Sequence, residues 1–391
     1  MLLKILNKAI LKLLKKNVKI INNSQNYKRK ILIYYKTDPL FSNFFTNKYS
    51  HTNNAEIIYM IEILTSLGFS ITLLDRSAKK REIKKTLCHQ YDLFLVNGAG
   101  NSAPYLSFIE NNIKTKLKIL YATGPEPKLN NKLITLAYKR FYERNKSKLI
   151  TRRLIKDQNL KNDFSSYDAL FYMGNKFNFD SFSKYKKLLK FNIFPSTMPS
   201  LCLDLSVLNL KDPKKFLYFG GNGLIAKGLD LLLESFDGFS QYSLDICCPN
   251  EKDFWDFYKP IMKRNPNIKY HGFVDIQSKL FNKLTDKCTY IIFPGASEAS
   301  ATSVVTCMRR GLIPVCTKET GIDIDDFGFY LESNEIAFIR NLIDDLGKKK
   351  NDEIRQKIIK TFIASEKFTK SNFKRSFQVA ILQTLIHKKL F

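Results

Sequence analysis

The sequence predicts an α/β fold of two domains, each built on a parallel sheet. Three observations carry that prediction. Short apolar runs alternate with helix-period segments along most of the chain, and several of these runs end on glycine, asparagine or serine. A stretch with three prolines and no strong periodicity, residues 193–213, divides the chain near its middle. At 391 residues there is length for two cores, and 44% hydrophobic content with 13% aromatic content belongs to globular proteins.

Residues 1–21 open the chain with Lys4, Lys8, Lys12, Lys15, Lys16 and Lys19. Wound as a helix, these lysines share an arc of about 120°, with Leu2, Leu6, Ala9, Ile10, Leu13 and Leu14 opposite. Residues 1–25 are therefore expected to form a basic amphipathic helix suited to an anionic membrane surface. The plainer alternative is a helix packed on its own domain with solvated lysines. No signal-peptide cleavage pattern follows, and no run approaches the ~20 apolar residues of a membrane span.

The first domain, residues 26–200, starts with a strand over 30–35. A helix follows, capped by Thr52 or Asn53 and closed by Gly68, with Ile57, Met60, Ile61 and Leu64 as its buried stripe. Strands over 93–96, 118–122 and 169–173 each land on small or polar residues, as strands lining a cleft do. Residues 139–161 are strongly basic and read as helical, either a solvated face or a contact surface for membrane or acceptor.

The second domain, residues 213–366, begins with a strand over 215–219 followed by GGNGLIAKGLDLLLESF. Strands over 243–248 and 268–274 come next. The stretch from 288 to 330 then reads as strand (290–293), tight loop, helix (about 301–310) and strand (312–316), a parallel crossover unit. Ligands of such sheets sit outside the carboxyl ends of the strands, where Glu298 lies among small residues. Glu298 can accept hydroxyl hydrogens there, and the helix-start N–H groups of residues 302–305 can take a phosphate. Residues 367–391 form a terminal helix.

The net charge is +28, from 64 basic and 36 acidic residues, which favours anionic partners. Abundant Lys, Asn, Ile, Phe and Tyr also fit an AT-rich coding sequence, which produces part of that excess by itself. Nucleic acid is not an expected partner, since charge alone points to it and no recognition module is present. Seven scattered cysteines without a C-x-x-C pair read as free thiols in a reducing cytoplasm.

Two segments carry a family resemblance. A strand ending in proline, Glu298, and then Gly311, Leu312, Ile313, Pro314 and Val315 resemble the donor-binding segment of GT-B glycosyltransferases of the retaining, group 1, GT4-like kind. Thr306 stands where that pattern has a second Glu. Upstream, Gly221, Lys227 and Gly228 resemble the second signature of the family, with Asn222 in place of an arginine often found there. The resemblance implies a GT-B fold: two Rossmann-like domains with parallel sheets facing a cleft, acceptor on the first, donor on the second, and a terminal helix crossing back. It implies a hexosyltransferase-type enzyme of surface polysaccharide synthesis, retaining and independent of metal or cofactor. The partners implied are a nucleotide-sugar donor and a glycan or lipid-linked acceptor, with the protein cytoplasmic and peripheral at the inner membrane face.

By the same resemblance, donor contacts fall on Gly221, Asn222, Lys227, Phe273, Val274, Glu298, Ser303, Val304 and Thr306. Catalysis falls on Glu298, which fixes the sugar ring, and Lys227, whose ammonium meets the diphosphate charge that grows as the glycosidic bond breaks. His51 contacts acceptor or donor phosphate, acts as a base, or caps a loop without chemistry; the sequence leaves these open. Asp323 and Asp325 form a D-x-D that reads, with Asp326, as a turn and capping cluster and not as a metal site. Two rival readings remain, a nucleotide-sugar epimerase of the same shape and a basic RNA-binding protein.

Overall fold

The computed structural model describes residues 17–21, 29–40, 52–100, 103–156, 160–197, 206, 208 and 211–390. The first sheet holds β1 (Val18–Ile21), β2 (Arg29–Tyr35), β3 (Phe69–Asp75), β4 (Gln90–Val96), β5 (Lys114–Ala122), β6 (Ala169–Tyr172) and β7 (Leu189–Asn192), in the order β1-β3-β2-β4-β5-β6-β7. Its connecting helices are α1 (Thr52–Ser66), α2 (Lys80–Leu87), α3 (Leu106–Glu110), α4 (Pro127–Asn145) and α5 (Lys176–Ser181). The second sheet holds β8 (Asp212–Phe219), β9 (Ser243–Cys247), β10 (Ile268–Tyr270), β11 (Cys288–Phe293), β12 (Ile313–Cys316) and β13 (Phe329–Tyr330), in the order β10-β9-β8-β11-β12-β13. Its helices are α6 (Leu229–Phe236), α7 (Lys252–Arg264), α8 (Lys279–Lys287), α9 (Thr302–Met308), α10 (Ile336–Gly347), α11 (Asn351–Ser365) and α12 (Lys370–His387). Every described strand pair is parallel except β1 with β3.

The order places a switch point in each sheet. In the second, the chain runs from β8 outward to β9 and β10, then returns to β11 on the other side of β8. The crevice outside the carboxyl ends of β8 and β11 is the place where such sheets bind ligands. All six residues of β11 are buried, as are Phe216, Leu217 and Tyr218 in the second half of β8, because helices cover both faces of the sheet there.

Each domain lends the other a helix. α4 connects β5 to β6 of the first sheet, yet its Ala137 and Phe141 belong to the core of the second domain. The Phe141 ring stands edge-on to Phe257 at 5.3 Å. In return, α12 places Phe373, Phe377, Ala380, Ile381 and Leu385 in a core of the first domain. The two chain crossings meet where the Thr197 amide and hydroxyl both donate to Phe368 O, at 2.9 and 2.8 Å.

Three expectations are corrected. Val18–Ile21, read as the end of the amphipathic helix, is an edge strand antiparallel to β3, and its β-branched Val18, Ile20 and Ile21 favour that state. Residues 1–16 lie outside the described residues. The basic helix begins at Pro127, where Glu126 caps it by accepting from the amides of Lys128 (2.8 Å) and Leu129 (3.1 Å). It ends at Asn145, because Lys146 turns left-handed (φ 49°), and residues 146–156 continue without a regular element. The strand expected over 268–274 stops at Tyr270, two residues before Gly272 at φ 71°.

Candidate active site

A cavity of about 500 Å³ opens at the switch point of the second sheet. Its floor is the turn after β8. Gly228 has φ 72°, and a Cβ there would lie 2.2 Å from Pro294 O, so only glycine lets this turn sit flush against the loop after β11. The Ala296 amide donates to Ala226 O at 2.9 Å and joins the two loops. Buried Glu251 fixes the glycine-rich end, accepting from the amides of Gly223 and, at 3.3 Å, Leu224. Lys227 then runs from this turn with its ammonium 5.3 Å above the Phe293 ring and ends on Glu298.

The loop carrying Glu298 is held from both domains. Its amide donates to Glu319 O at 2.9 Å, within its own domain. From the first domain, Asn178 Nδ2 donates to Glu298 O at 2.9 Å, and Asn130 Oδ1 accepts from Ser297 Oγ at 2.8 Å. Arg153, in the segment after α4, donates to Ser297 O at 3.3 Å and reaches Glu298 Oε1 at 3.2 Å. Lys227 meets that same Oε1.

Charge and burial shift both members of the pair. Burial alone would raise the Glu298 carboxyl; Arg153 and Lys227 outweigh it and hold the group below its ordinary value. Burial, and then the like charge of Arg153, lowers the Lys227 ammonium to about 8, with Glu298 opposing. The result is a carboxylate flanked by two cations in a part-buried cleft. It can present acceptors to hydroxyl groups and cations to an anionic group side by side.

Gly221, Asn222, Lys227, Phe273, Val274, Glu298, Ser303 and Thr306 all line this cavity. Phe273 stands at its mouth, 69% exposed. Val304 does not line it: on the seven-residue α9 it is fully buried and belongs to the core of the second domain. The helix start is also shorter than expected, since the Val305 amide already donates to Ala301 O at 3.1 Å. The Thr306 hydroxyl donates to Thr302 O at 2.7 Å, which leaves its oxygen to act only as an acceptor for a ligand. His51 lies outside the described residues. Asp323, Asp325 and Asp326 are exposed; Asp326 pairs with Lys360, and its carbonyl accepts from Lys357 at 2.7 Å. Among the described residues, no group of three or more His, Cys, Asp or Glu is placed to hold a metal ion.

Sequence reasoning missed Arg153, Asn130, Asn178 and Glu251. The first three reach the site from the other domain, and a basic or polar residue in a loop gives no local sign of that. Glu251 gave no local sign either: it stands at the N-cap position of α7 without capping it, its carboxylate turned to the Gly223 and Leu224 amides.

No protein-family profile matches the chain, and no curated protein matches it in sequence. Solved structures do resemble it. Anabaena Alr3699/HepE, in complex with UDP and glucose, superposes with a TM-score of 0.57 at 14% identity, covering 92% of this chain and 99% of that one. The lipopolysaccharide outer core galactosyltransferase WaaB in its apo form gives a TM-score of 0.57 at 10% identity, covering 91% and 99%. The N-terminal domain of Candida albicans trehalose-6-phosphate phosphatase gives 0.54 at 10% identity, covering 94% and 99%. The fold is GT-B, an α/β architecture of two parallel-dominated sheets. At these identities the likeness concerns the fold.

Proposed function

We propose that this chain is a glycosyltransferase that moves a sugar from a nucleotide-sugar donor to a glycan or lipid-linked acceptor. The observation that carries the reading is the meeting of Lys227 and Arg153 on Glu298, at the switch point of the second sheet. A nucleotide sugar presents a diphosphate next to a polyol, and this arrangement offers cations next to a carboxylate. Lys227 counters the charge that develops on the diphosphate as the bond from the anomeric carbon to phosphate oxygen breaks. Glu298 accepts hydrogens from the sugar hydroxyls and fixes the ring. The turn over residues 220–222 lets backbone approach the phosphates, and exposed Phe273 offers a face to the base. The HepE structure, with UDP and glucose bound, is consistent with such a ligand in this fold.

The family resemblance of the two motifs supports a retaining reaction that needs no metal. A role in surface polysaccharide synthesis, at the inner face of the cytoplasmic membrane, fits the net charge of +28 and the basic residues 1–21. None of the described helices is long and apolar enough to cross a membrane. A panel of nucleotide sugars screened by ligand-detected NMR tests the donor assignment. Saturable binding of one base and sugar, displaced by the matching nucleoside diphosphate, is expected. A protein that binds none of the panel removes the assignment.

A further inference from the structure

Among the described residues that line the cavity, Lys227 and Arg153 are the only cations. They differ in origin. Lys227 belongs to the donor-side domain, whereas Arg153 arrives on the segment that follows α4, an arm of the acceptor-side domain laid across its partner. We propose that Arg153 is the second cation of the donor diphosphate site, so that this site is complete only while the arm is docked. The inference rests on the nucleotide-sugar reading above and extends it to a residue outside the two motifs.

The arm is built to deliver this one side chain. Along α4, Arg144 binds Asp230 and Glu234 of α6, each at 2.6 Å. Beyond the helix, Arg152 forks onto Asp253 at 2.6 and 2.9 Å, and the Ile150 amide donates to the same carboxylate at 3.1 Å. Asn131 then clasps Ile155 on the other side of Arg153: its Oδ1 accepts from the Ile155 amide and its Nδ2 donates to the Ile155 carbonyl, both at 2.8 Å. Between these anchors Arg153 adopts φ 70°, a conformation uncommon for a residue with a side chain. Its stem lies directly over Gly223, where an added Cβ would come within 2.3 Å of Arg153 Cδ. A glycine at 223 thus opens the path by which the guanidinium enters the cavity.

Inside, Arg153 and Lys227 both contact Glu298 Oε1, so their charges converge on a single point beside the turn over 220–222. Two cations converging there match a diphosphate, which carries more charge than one lysine answers. Arginine adds a planar fork that can bind phosphate oxygens in pairs. A diphosphate placed beside Glu298 competes with it for these cations, and in doing so releases carboxylate oxygens toward the sugar hydroxyls.

The test compares nucleoside diphosphate with monophosphate in the full chain, using UDP against UMP and GDP against GMP by titration calorimetry. The ratio of the two affinities isolates the second phosphate. It is internal to each variant, so a loss of folded protein leaves it unmoved. In the parent, one base should show a clear diphosphate preference. Arg153→Gln adds no backbone strain that arginine does not already bear, and should lower the preference about 10-fold or more. Arg153→Lys should restore part of it. Asp253→Ala, outside the cavity, should lower it partially by loosening the arm. A parent that binds neither base, and none of the nucleotide-sugar panel, overturns the donor reading and this inference with it. A parent that prefers the diphosphate, with an unchanged ratio in Arg153→Gln, overturns the inference alone and makes Arg153 a strut between domains.

Discussion

Arg153 Nη1 lies 3.2 Å from Glu298 Oε1, although the two residues belong to different domains. Lys227 shares that oxygen, so one carboxylate ties together the arm of the first domain, the turn after β8 and the loop after β11. Substitutions at this junction act on chemistry and on domain docking together, and the expected outcomes separate the two.

Lys227→Ala should lower turnover by at least ~100-fold, the scale of losing one charge partner of the transition state. Glu298→Gln should cost a comparable factor while keeping the shape of the side chain. Steady-state rates with the correct donor check both variants, and near-parent rates in both would remove these roles.

Diphosphate affinity should fall as pH rises through about 8, where burial and Arg153 place the Lys227 ammonium. The charged lysine is the binding form, so affinity is full below that value and weakens above it, where Arg153 alone stays charged. In Arg153→Gln the fall should move to higher pH, because a like charge is removed. Titration calorimetry between pH 6.5 and 9.5 reads both effects. A flat profile across that range would separate Lys227 from the phosphates.

The first domain carries its own pH dependence. Glu56 is fully buried, and burial raises its carboxyl to about 7 against hydrogen bonds from Ser196 and Tyr121 and the charge of Lys36. A folded value above the unfolded one means that the stabilisation is full below the unfolded pKa of about 4.5 and is lost as pH rises through about 7. Glu56→Gln should flatten that loss and raise stability near pH 8 by roughly 1–3 kcal/mol. Urea unfolding of parent and variant at pH 5 and pH 8 checks it, and equal pH slopes would contradict it.

Removing residues 1–16 should release the protein from anionic vesicles with little change in its thermal transition. Removing residues 1–21 should lower that transition as well. The longer cut takes away β1 and Asn17, whose side chain reaches Glu82 at 3.1 Å and whose carbonyl accepts from the Asp75 amide at 2.7 Å. Vesicle sedimentation and calorimetric scans of both truncations distinguish anchoring from edge pairing. If the shorter cut leaves vesicle binding intact, the membrane assignment of these residues fails.

The second domain was legible because its signals are local. β11, the loop with Glu298, α9 and β12 follow one another within thirty residues, and Lys227 sits at the end of the single turn that follows β8. Periodicity failed where an element is short or wholly buried. Val304 looked like a ligand contact beside Ser303, but in this seven-residue helix the cavity is faced by Thr302, Ser303 and Thr306, while Val304 is buried, and fewer than two turns of sequence do not orient the helix. β1 was hidden by the lysine spacing that runs through it from residues 1–16. Arg153 was out of reach for a different reason. It meets Ser297 and Glu298 across 144 and 145 positions of sequence, through an arm whose docking depends on Arg144, Arg152 and Phe141 finding partners in the other domain.

Acceptor-dependent release of nucleoside diphosphate tests the central claim most directly. With the nucleotide sugar that binds, and candidate glycan or lipid-linked acceptors supplied in turn, free nucleoside diphosphate should appear only with the right acceptor. The sugar should then be found on that acceptor. Conversion of the sugar with no acceptor present, or release at the same rate whether or not an acceptor is added, would contradict the account.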